Sequence, residues 1–479
     1  LENNNREGSN KWLVLVIVLM SSFMASLDGS IVNVALPVMA ERLHVTTAGI
    51  QLVATSYLIT IVGVILIFGK LGDTLGKTRM FSIGLGLFTL GSLLCGITDS
   101  FAVLILARII QAIGAAGTMA NSQGIITETF HPSERGKALG LVGTSVALGS
   151  LAGPGLGGII IGGVSWKYIF LINVPIGLFS LLAAVRLLPK SQKKAEEKLD
   201  VAGALLFMLS VVPLFTALNE GVTAGFTEPL ILTGFAVSAV AFILFLSVEK
   251  RKENPLLQLQ IFENRLFSLS ILCGFISFVA IFCSNMVLPF YLQKVMGYTP
   301  QNSGFILMVY PVVLMAVAPL SGHLSDKTGA ERLTFIGLVL AGAGLFMMSF
   351  LNAQSAPAVM VLFIAIMSLG MGIFQSPNNS LVMSTVSKDK LGIAGSINAL
   401  VRNLGMTCGI ALSTTLLYGT MSRKIGHRVT DFAADSSDAF LYGMKTVYVT
   451  AGLISLFGAG ITFARMVNGR QKEAEQTIE

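Results

Sequence analysis

Fourteen stretches of this chain are too long and too apolar to sit in water, which fixes most of what it can fold into. They run near 12–37, 48–69, 79–98, 101–127, 137–162, 165–188, 199–218, 229–248, 266–293, 302–324, 332–351, 356–384, 391–418 and 439–466. A helix needs about 20 mostly apolar residues to cross a bilayer. In lipid every backbone N–H and C=O must be satisfied within the chain, so runs of this length read as spanning helices. Only 12% of residues are charged and 53% are hydrophobic, against about 25% charged in soluble domains. The chain is expected to be an all-α integral membrane protein. Its first run carries Asp28 and Pro37 and no small-residue cleavage site, so it reads as a span and not a signal peptide.

An even number of spans puts both ends on one side, and the cations choose which. Of the 32 Lys and Arg residues, seven fall in outer segments if the ends are inside: Arg42, Lys167, Lys294, Arg423, Lys424, Arg428 and Lys445. Arg108 and Arg402 lie within spans, and the rest are inner. The asymmetry puts both termini in the cytoplasm, as tails at 1–11 and 467–479. The net charge of +7 follows from this topology and implies no nucleic-acid partner. The basic stretch Lys190–Lys198 reads as a solvated inner loop near anionic headgroups.

Catalysis is not indicated. His44, His131, His323 and His427 lie at span edges or in loops, and no GxxxxGK[ST] phosphate loop occurs. Cys95, Cys273, Cys283 and Cys408 sit in apolar runs without CxxC spacing and read as packing residues. No catalytic residue, metal or cofactor is expected.

Two inner loops share a spacing. Gly69, Leu71, Asp73 and Gly76 recur as Gly322, Leu324, Asp326 and Gly329, with Arg79 and Arg332 downstream. Each copy follows the second span of a six-span block. The expected organisation is a six-helix bundle over 12–188, an inserted helix pair at 199–248 and a second six-helix bundle over 266–466.

At these residues the chain resembles the major facilitator superfamily, specifically its fourteen-span branch of drug:proton antiporters. The run from Gly69 to Arg79 is similar to the superfamily's inner-loop signature, whose Asp and basic residues help latch one conformational state. The resemblance implies a latch of Gly69, Asp73, Gly76, Lys77, Arg79, Asp326 and Arg332, with Glu128 and Arg135 in the same inner-face charge network. Leu27 to Pro37 is similar to the branch's first-span motif. Gly149, Gly153, Pro154, Gly157 and Gly158 fit the fifth-span pattern GxxxGPxxGG, associated with exporters. Leu104 to Gln111 resembles the fourth-span motif, whose Arg is linked to proton coupling; Ala112 stands where the family often has Gly.

Asp28 is the only one of 25 acids placed deep in a span. A carboxylate there is costly unless paired, hydrated or protonated, which suits it to take up and release a proton. It lies nine residues before Pro37, about 13 Å from the outer face; Arg108 lies about 10 Å from the same face. The matched depths make Asp28 and Arg108 the expected proton-coupling pair, with a static ion pair as the competing reading. Arg402 sits about 16 Å from the inner face with no acid of the second block at its depth. It reads either as structural or as a contact for an anionic group.

The resemblance further implies a central substrate cavity. Residues put forward for its lining are Asn33, Asn121, Gln123, Asn285, Tyr291, Tyr310, Gln375, Asn378 and Arg402, with Phe and Met between them. The leading functional reading is proton-coupled export of hydrophobic or amphiphilic compounds, multidrug efflux, by a monomer in a bacterial plasma membrane. Its partners would be protons, the small-molecule substrate and the lipid bilayer. Competing readings are a dedicated exporter of an anionic metabolite or lipid, and a membrane sensor that moves nothing.

Overall fold

The computed structural model describes residues 2–188, 200–252, 255–386, 391–432 and 437–478. Side chains are described for these except at 2–10, 132–133, 135–137, 139–140, 222–223, 326, 391–393 and 468–478. The Lys190–Lys198 stretch and the side chains of Arg135 and Asp326 therefore lie outside the described residues. Among those described there is no strand, and fourteen helical segments are long and apolar enough to cross a membrane.

The helices are α1 (Glu2–Arg42), α2 (Leu52–Leu75), α3 (Lys77–Ile97), α4 (Phe101–Thr129), α5 (Pro132–Gly163), α6 (Tyr168–Leu171), α7 (Asn173–Leu187), α8 (Val201–Ala224) and α9 (Pro229–Glu249). Then follow α10 (Arg265–Phe290), α11 (Pro300–Leu307), α12 (Val309–Thr328), α13 (Ala330–Met348), α14 (Pro357–Ser384), α15 (Leu391–Ile425) and α16 (Ser437–Ile478). α6 with α7 forms the sixth span, and α11 with α12 the tenth. The chain packs as two units, Leu1–Gln258 with Tyr298–Phe305, and Leu259–Gly297 with Ile306–Glu479.

Both units are built on the same helix contacts. In the first, α3 packs on α4 and α1 on α5; in the second, α13 packs on α14 and α10 on α15. Small residues allow the close approach that association in lipid requires. A Cβ at Gly84 would lie 2.7 Å from Gly114 O and 2.8 Å from Thr118 N. One at Gly337 would lie 2.8 Å from Gly370 O and 2.6 Å from Phe374 N. A shift of 253 residues thus carries α3 onto α13, and one of 256 carries α4 onto α14. Gly149 meets Phe23 O and Leu27 N as Gly405 meets Phe275 O and Val279 N, so α1 maps to α10 by 252 and α5 to α15 by 256.

The repeated inner loops share a backbone as well. Gly76 has φ 105° and Gly329 φ 86°, a region that favours glycine. Each donates its N–H four residues back, to Gly72 O and Ser325 O, at 3.0 Å.

α8 and α9 pack on one another, and α8 rests on α2 near Gly63, where Val212 and Met208 approach. Asp200 caps α8, accepting from Gly203 N at 2.7 Å, and pairs with Lys252 just beyond α9. Burial pushes the Asp200 carboxyl up, but the Lys252 ammonium and the Gly203 N–H outweigh it and hold the carboxyl below its ordinary range.

Candidate functional site

On α1, Ser26 and Ser30 share one face and bind α5. Ser26 Oγ donates to Val146 O at 2.8 Å, and Ser30 Oγ to Gly149 O at 3.3 Å. Asp28 is two residues from each, about 200° around the helix, and so points away from α5 into the first unit. It has no exposed surface, and Arg108 only 1%.

There the two close an ion pair, with Arg108 Nη1 2.6 Å from Asp28 Oδ2. The same nitrogen donates to Gln111 Oε1 at 2.7 Å, while Arg108 Nε donates to Val53 O on α2 at 3.0 Å. Gln111 Nε2 donates to Asp28 Oδ1 at 2.8 Å and to Ser92 Oγ on α3 at 2.8 Å. Asn173, at the head of α7, adds a donor to Asp28 Oδ1 at 3.1 Å. The guanidinium carbon lies 4.1 Å from the centre of the Tyr57 ring and 5.6 Å from that of Phe170. Asp28 thereby gathers Arg108, Gln111 and Asn173, and the cluster carries no net charge. Such a pair is tolerated in a dry interior only when its remaining lone pairs are met; removing one partner costs about 3–5 kcal/mol.

The second unit keeps this frame and drops the chemistry. Under the contact-derived shifts, Asp28 corresponds to Ala280, Arg108 to Ile364, Gln111 to Met367 and Ser92 to Leu345, all buried. The same helix crossings hold with apolar residues, so the architecture does not need the polar set.

Other charges have different roles. Lys77 Nζ lies 2.6 Å from Glu128 Oε1 and 3.3 Å from Asp73 Oδ1, tying the end of α2 and the start of α3 to the end of α4. Arg79 and Arg332 are exposed. Glu134, at the start of α5, pairs with Lys11 of α1 at 2.8 Å. Arg465 on α16 is buried, with Nη1 3.0 Å from Ser270 Oγ, Nη2 2.8 Å from Thr334 Oγ1 and Nε in a looser ion-pair contact with Glu331 Oε1 at 3.5 Å. It braces α16 against α10 and α13.

The residues put forward for the cavity separate into two groups. Asn121, Tyr291 and Asn378 are buried: Asn121 Nδ2 donates to Phe68 O on α2 and Gly117 O on its own helix, Tyr291 Oη to Asn352 O in the loop after α13, and Asn378 Nδ2 to Ser270 O on α10. Asn33, Asn285, Tyr310, Gln375 and Arg402 are half-buried, and Gln123 is exposed. In the α5 motif, Gly149, Gly153 and Gly157 lie against α1. Pro154 and Gly158 lie against 300–304, where a Cβ at Gly304 would come within 2.3 Å of Pro154 O.

Beside the Asp28–Arg108 pair expected from matched depth, Gln111, Asn173, Ser92 and Tyr57 join the cluster unexpected from the sequence. Gln111 is one turn beyond Arg108 on the same face, a signal present in the sequence. Asn173 comes from a helix remote in sequence, and only its position among apolar residues marked it.

A family model described as the Major Facilitator Superfamily matches residues 18–410. The riboflavin transporter RibZ of Clostridioides difficile (strain 630) is 33% identical over 448 residues, covering 93% of this chain and 96% of the relative. The multidrug resistance protein Stp of Mycobacterium tuberculosis (strain CDC 1551 / Oshkosh) is 31% identical, covering 86% of this chain and 77% of its own. The crystal structure of the human organic anion transporter MFSD10 (TETRAN) shares the fold at a TM-score of 0.63 and 14% identity, covering 94% of this chain and 99% of that one. With fourteen spanning helices, a duplicated helix frame and a match over most of its length, the chain is a membrane transporter, not an enzyme, and belongs to the major facilitator superfamily.

Proposed function

We propose that this transporter exports hydrophobic or amphiphilic compounds in exchange for protons, by alternating access, with Asp28 as the proton site and Arg108 as its partner. One observation carries the reading. The charged cluster is present in one copy of a duplicated frame and replaced by Ala280, Ile364 and Met367 in the other, so its cost is borne for something other than folding. Neutralising Asp28 would strand the Arg108 cation, which gives protonation a direct hold on the conformation. The names of RibZ and Stp support small organic substrates.

On this reading the protein is a bacterial plasma-membrane monomer with both termini cytoplasmic, in keeping with its cation asymmetry. Its spans group as six to residue 188, an inserted pair at 199–248 and six over 266–466. The Asp73–Lys77–Glu128 cluster serves as an inner latch. Such half-exposed pairs contribute little individually, but a set made in one state only biases the equilibrium between states. The test is uptake of a fluorescent amphiphile into inside-out vesicles with an acidic lumen, where export across the membrane reads as accumulation inside. Asp28→Asn is expected to abolish gradient-driven movement; full retention of it sinks the proposal.

A further inference from the structure

Arg402 is a half-buried cation whose Nε the fold leaves unserved. Its Nε is enclosed without a hydrogen-bond partner, as is that of Arg465, but Arg465 holds Ser270 and Thr334 through Nη1 and Nη2 and Arg108 holds several partners. The α5-to-α15 shift places the apolar Val146 at the equivalent position, so the repeated frame does not require a cation there. A guanidinium about 16 Å into the membrane with an enclosed N–H left unmet is a standing cost unless something else meets it.

Its surroundings say what that is. Asn398 and Arg402 lie four residues apart on α15, as Gln375 and Asn379 do on α14, so each pair shares a helix face. Asn398 Nδ2 donates to Asn379 Oδ1 at 3.2 Å, which fixes the register of these two successive, oppositely directed spans. One turn further along, Gln375 comes level with Arg402. Asn398, Gln375 and Arg402 are half-buried and Asn379 is exposed. Four such residues within two turns of one another, Arg402 and Gln375 level in depth, are costly against lipid tails, which points to a hydrated path beside them.

We infer that Arg402, flanked by Gln375, Asn379 and Asn398, is a recognition site for an anionic group on the transported amphiphile: a carboxylate, sulfonate or phosphate. The guanidinium offers two parallel donors to such a group, and the amides accept or donate at its edge. This assignment rests on the export reading and narrows its substrates to amphiphiles that carry a negative charge.

The test is binding without a gradient, which separates it from the Asp28 experiment. Two probes differ only by a sulfonate: 8-anilinonaphthalene-1-sulfonate and N-phenyl-1-naphthylamine. Their binding to the full chain in phosphatidylcholine nanodiscs is measured against empty discs. The sulfonate probe is expected to bind the protein more tightly than its neutral twin. Arg402→Gln should weaken the sulfonate probe roughly tenfold to a hundredfold and leave the neutral probe unchanged. Arg402→Lys, which keeps the charge, should retain most of the binding, and Asp28→Asn should lose driven export while the Arg402-dependent binding stays measurable. Equal affinity for the two probes overturns the assignment, as does an equal loss of both in Arg402→Gln or no loss of either. If phosphatidylglycerol in the disc displaces the sulfonate probe in an Arg402-dependent way, the anion is a lipid headgroup and the substrate assignment fails.

Discussion

The second copy of the frame specifies a sharp perturbation of the first. Asp28→Ala/Arg108→Ile/Gln111→Met writes the residues of α10 and α14 into α1 and α4. Arg108→Ile alone leaves Asp28 Oδ2 without its 2.6 Å partner in a fully buried place, which costs about 3–5 kcal/mol. In the triple variant no charge remains. Exchanging a buried ion pair for apolar groups ranges from neutral to about 1–4 kcal/mol stabilising. Against that stands the Asn173 amide, which loses its 3.1 Å acceptor at about 1–3 kcal/mol. The terms nearly cancel, so the triple variant should lie within about 2 kcal/mol of the wild type and above Arg108→Ile. Thermal unfolding in detergent with a thiol-reactive dye reads this directly, because Cys95, Cys273 and Cys283 are buried and free. Both variants should lose gradient-driven export. A triple variant no more stable than Arg108→Ile would mean that the polar set holds the helices together, and the argument from the repeat would be refuted.

Two further outcomes follow from contacts elsewhere. A Cβ on Gly72 would fall 1.7 Å from Asn121 Oδ1, so Gly72→Ala should expel that side chain from its bonds to Phe68 O and Gly117 O, at about 1–3 kcal/mol. Gly72→Ala/Asn121→Ala should be more stable than Gly72→Ala in the same unfolding assay, and an equal or greater loss would count against the contact. At the foot of the inserted pair, the Asp200 carboxyl is held below its unfolded value of 3.8. Its stabilisation is therefore fully present above that pH and is lost as the pH falls through the lower folded value. Lys252→Met should cost about 1 kcal/mol at pH 7, and the gap from wild type should close in unfolding measured below pH 4; a gap independent of pH would remove Lys252 as the cause.

The spans were legible because length and apolarity alone decide them: every backbone group in lipid must be bonded within the helix. Asp28 and Arg108 were legible because both are costly at that depth, and matched depth is nearly the only geometry a sequence gives for two spans. The facing of neutral polar residues was not. Asn121, Tyr291 and Asn378 were put forward for the cavity lining; each is buried and gives a donor to a backbone carbonyl, Asn121 and Asn378 on neighbouring helices and Tyr291 on the loop after α13. A span apolar on every side carries little signal for which face looks inward, so polarity by itself could not place them. The repeat was visible only at its inner loop for a related reason. The shift is 252 for α1, 253 for α3 and 256 for α4 and α5, because the connections differ in length. A single offset aligns one helix pair and misaligns the next; the residues that restore the register are glycines at helix crossings.

That register also bears on how a proton could drive the carrier. In the closed cluster, Asp28 and Arg108 cancel, and protonating Asp28 removes one side of the balance. The stranded guanidinium keeps Gln111 Oε1 and Val53 O, two neutral acceptors, in place of a carboxylate. By the measure of broken buried pairs this raises the state by about 3–5 kcal/mol. Moving a two-state equilibrium from 1:99 to 99:1 takes about 5.5 kcal/mol, so one proton at this pair supplies most of a conformational switch. The second copy can supply none of it, since Ala280 and Ile364 bear no charge. Its deep cation, Arg402, whose Nε has no hydrogen-bond partner, answers instead to the substrate on the proposed reading. On the proposed reading the duplicated frame has divided its labour: one copy senses the proton, the other the cargo. Exchange between them passes through the equilibrium that both bias, with no need for the two ligands to touch.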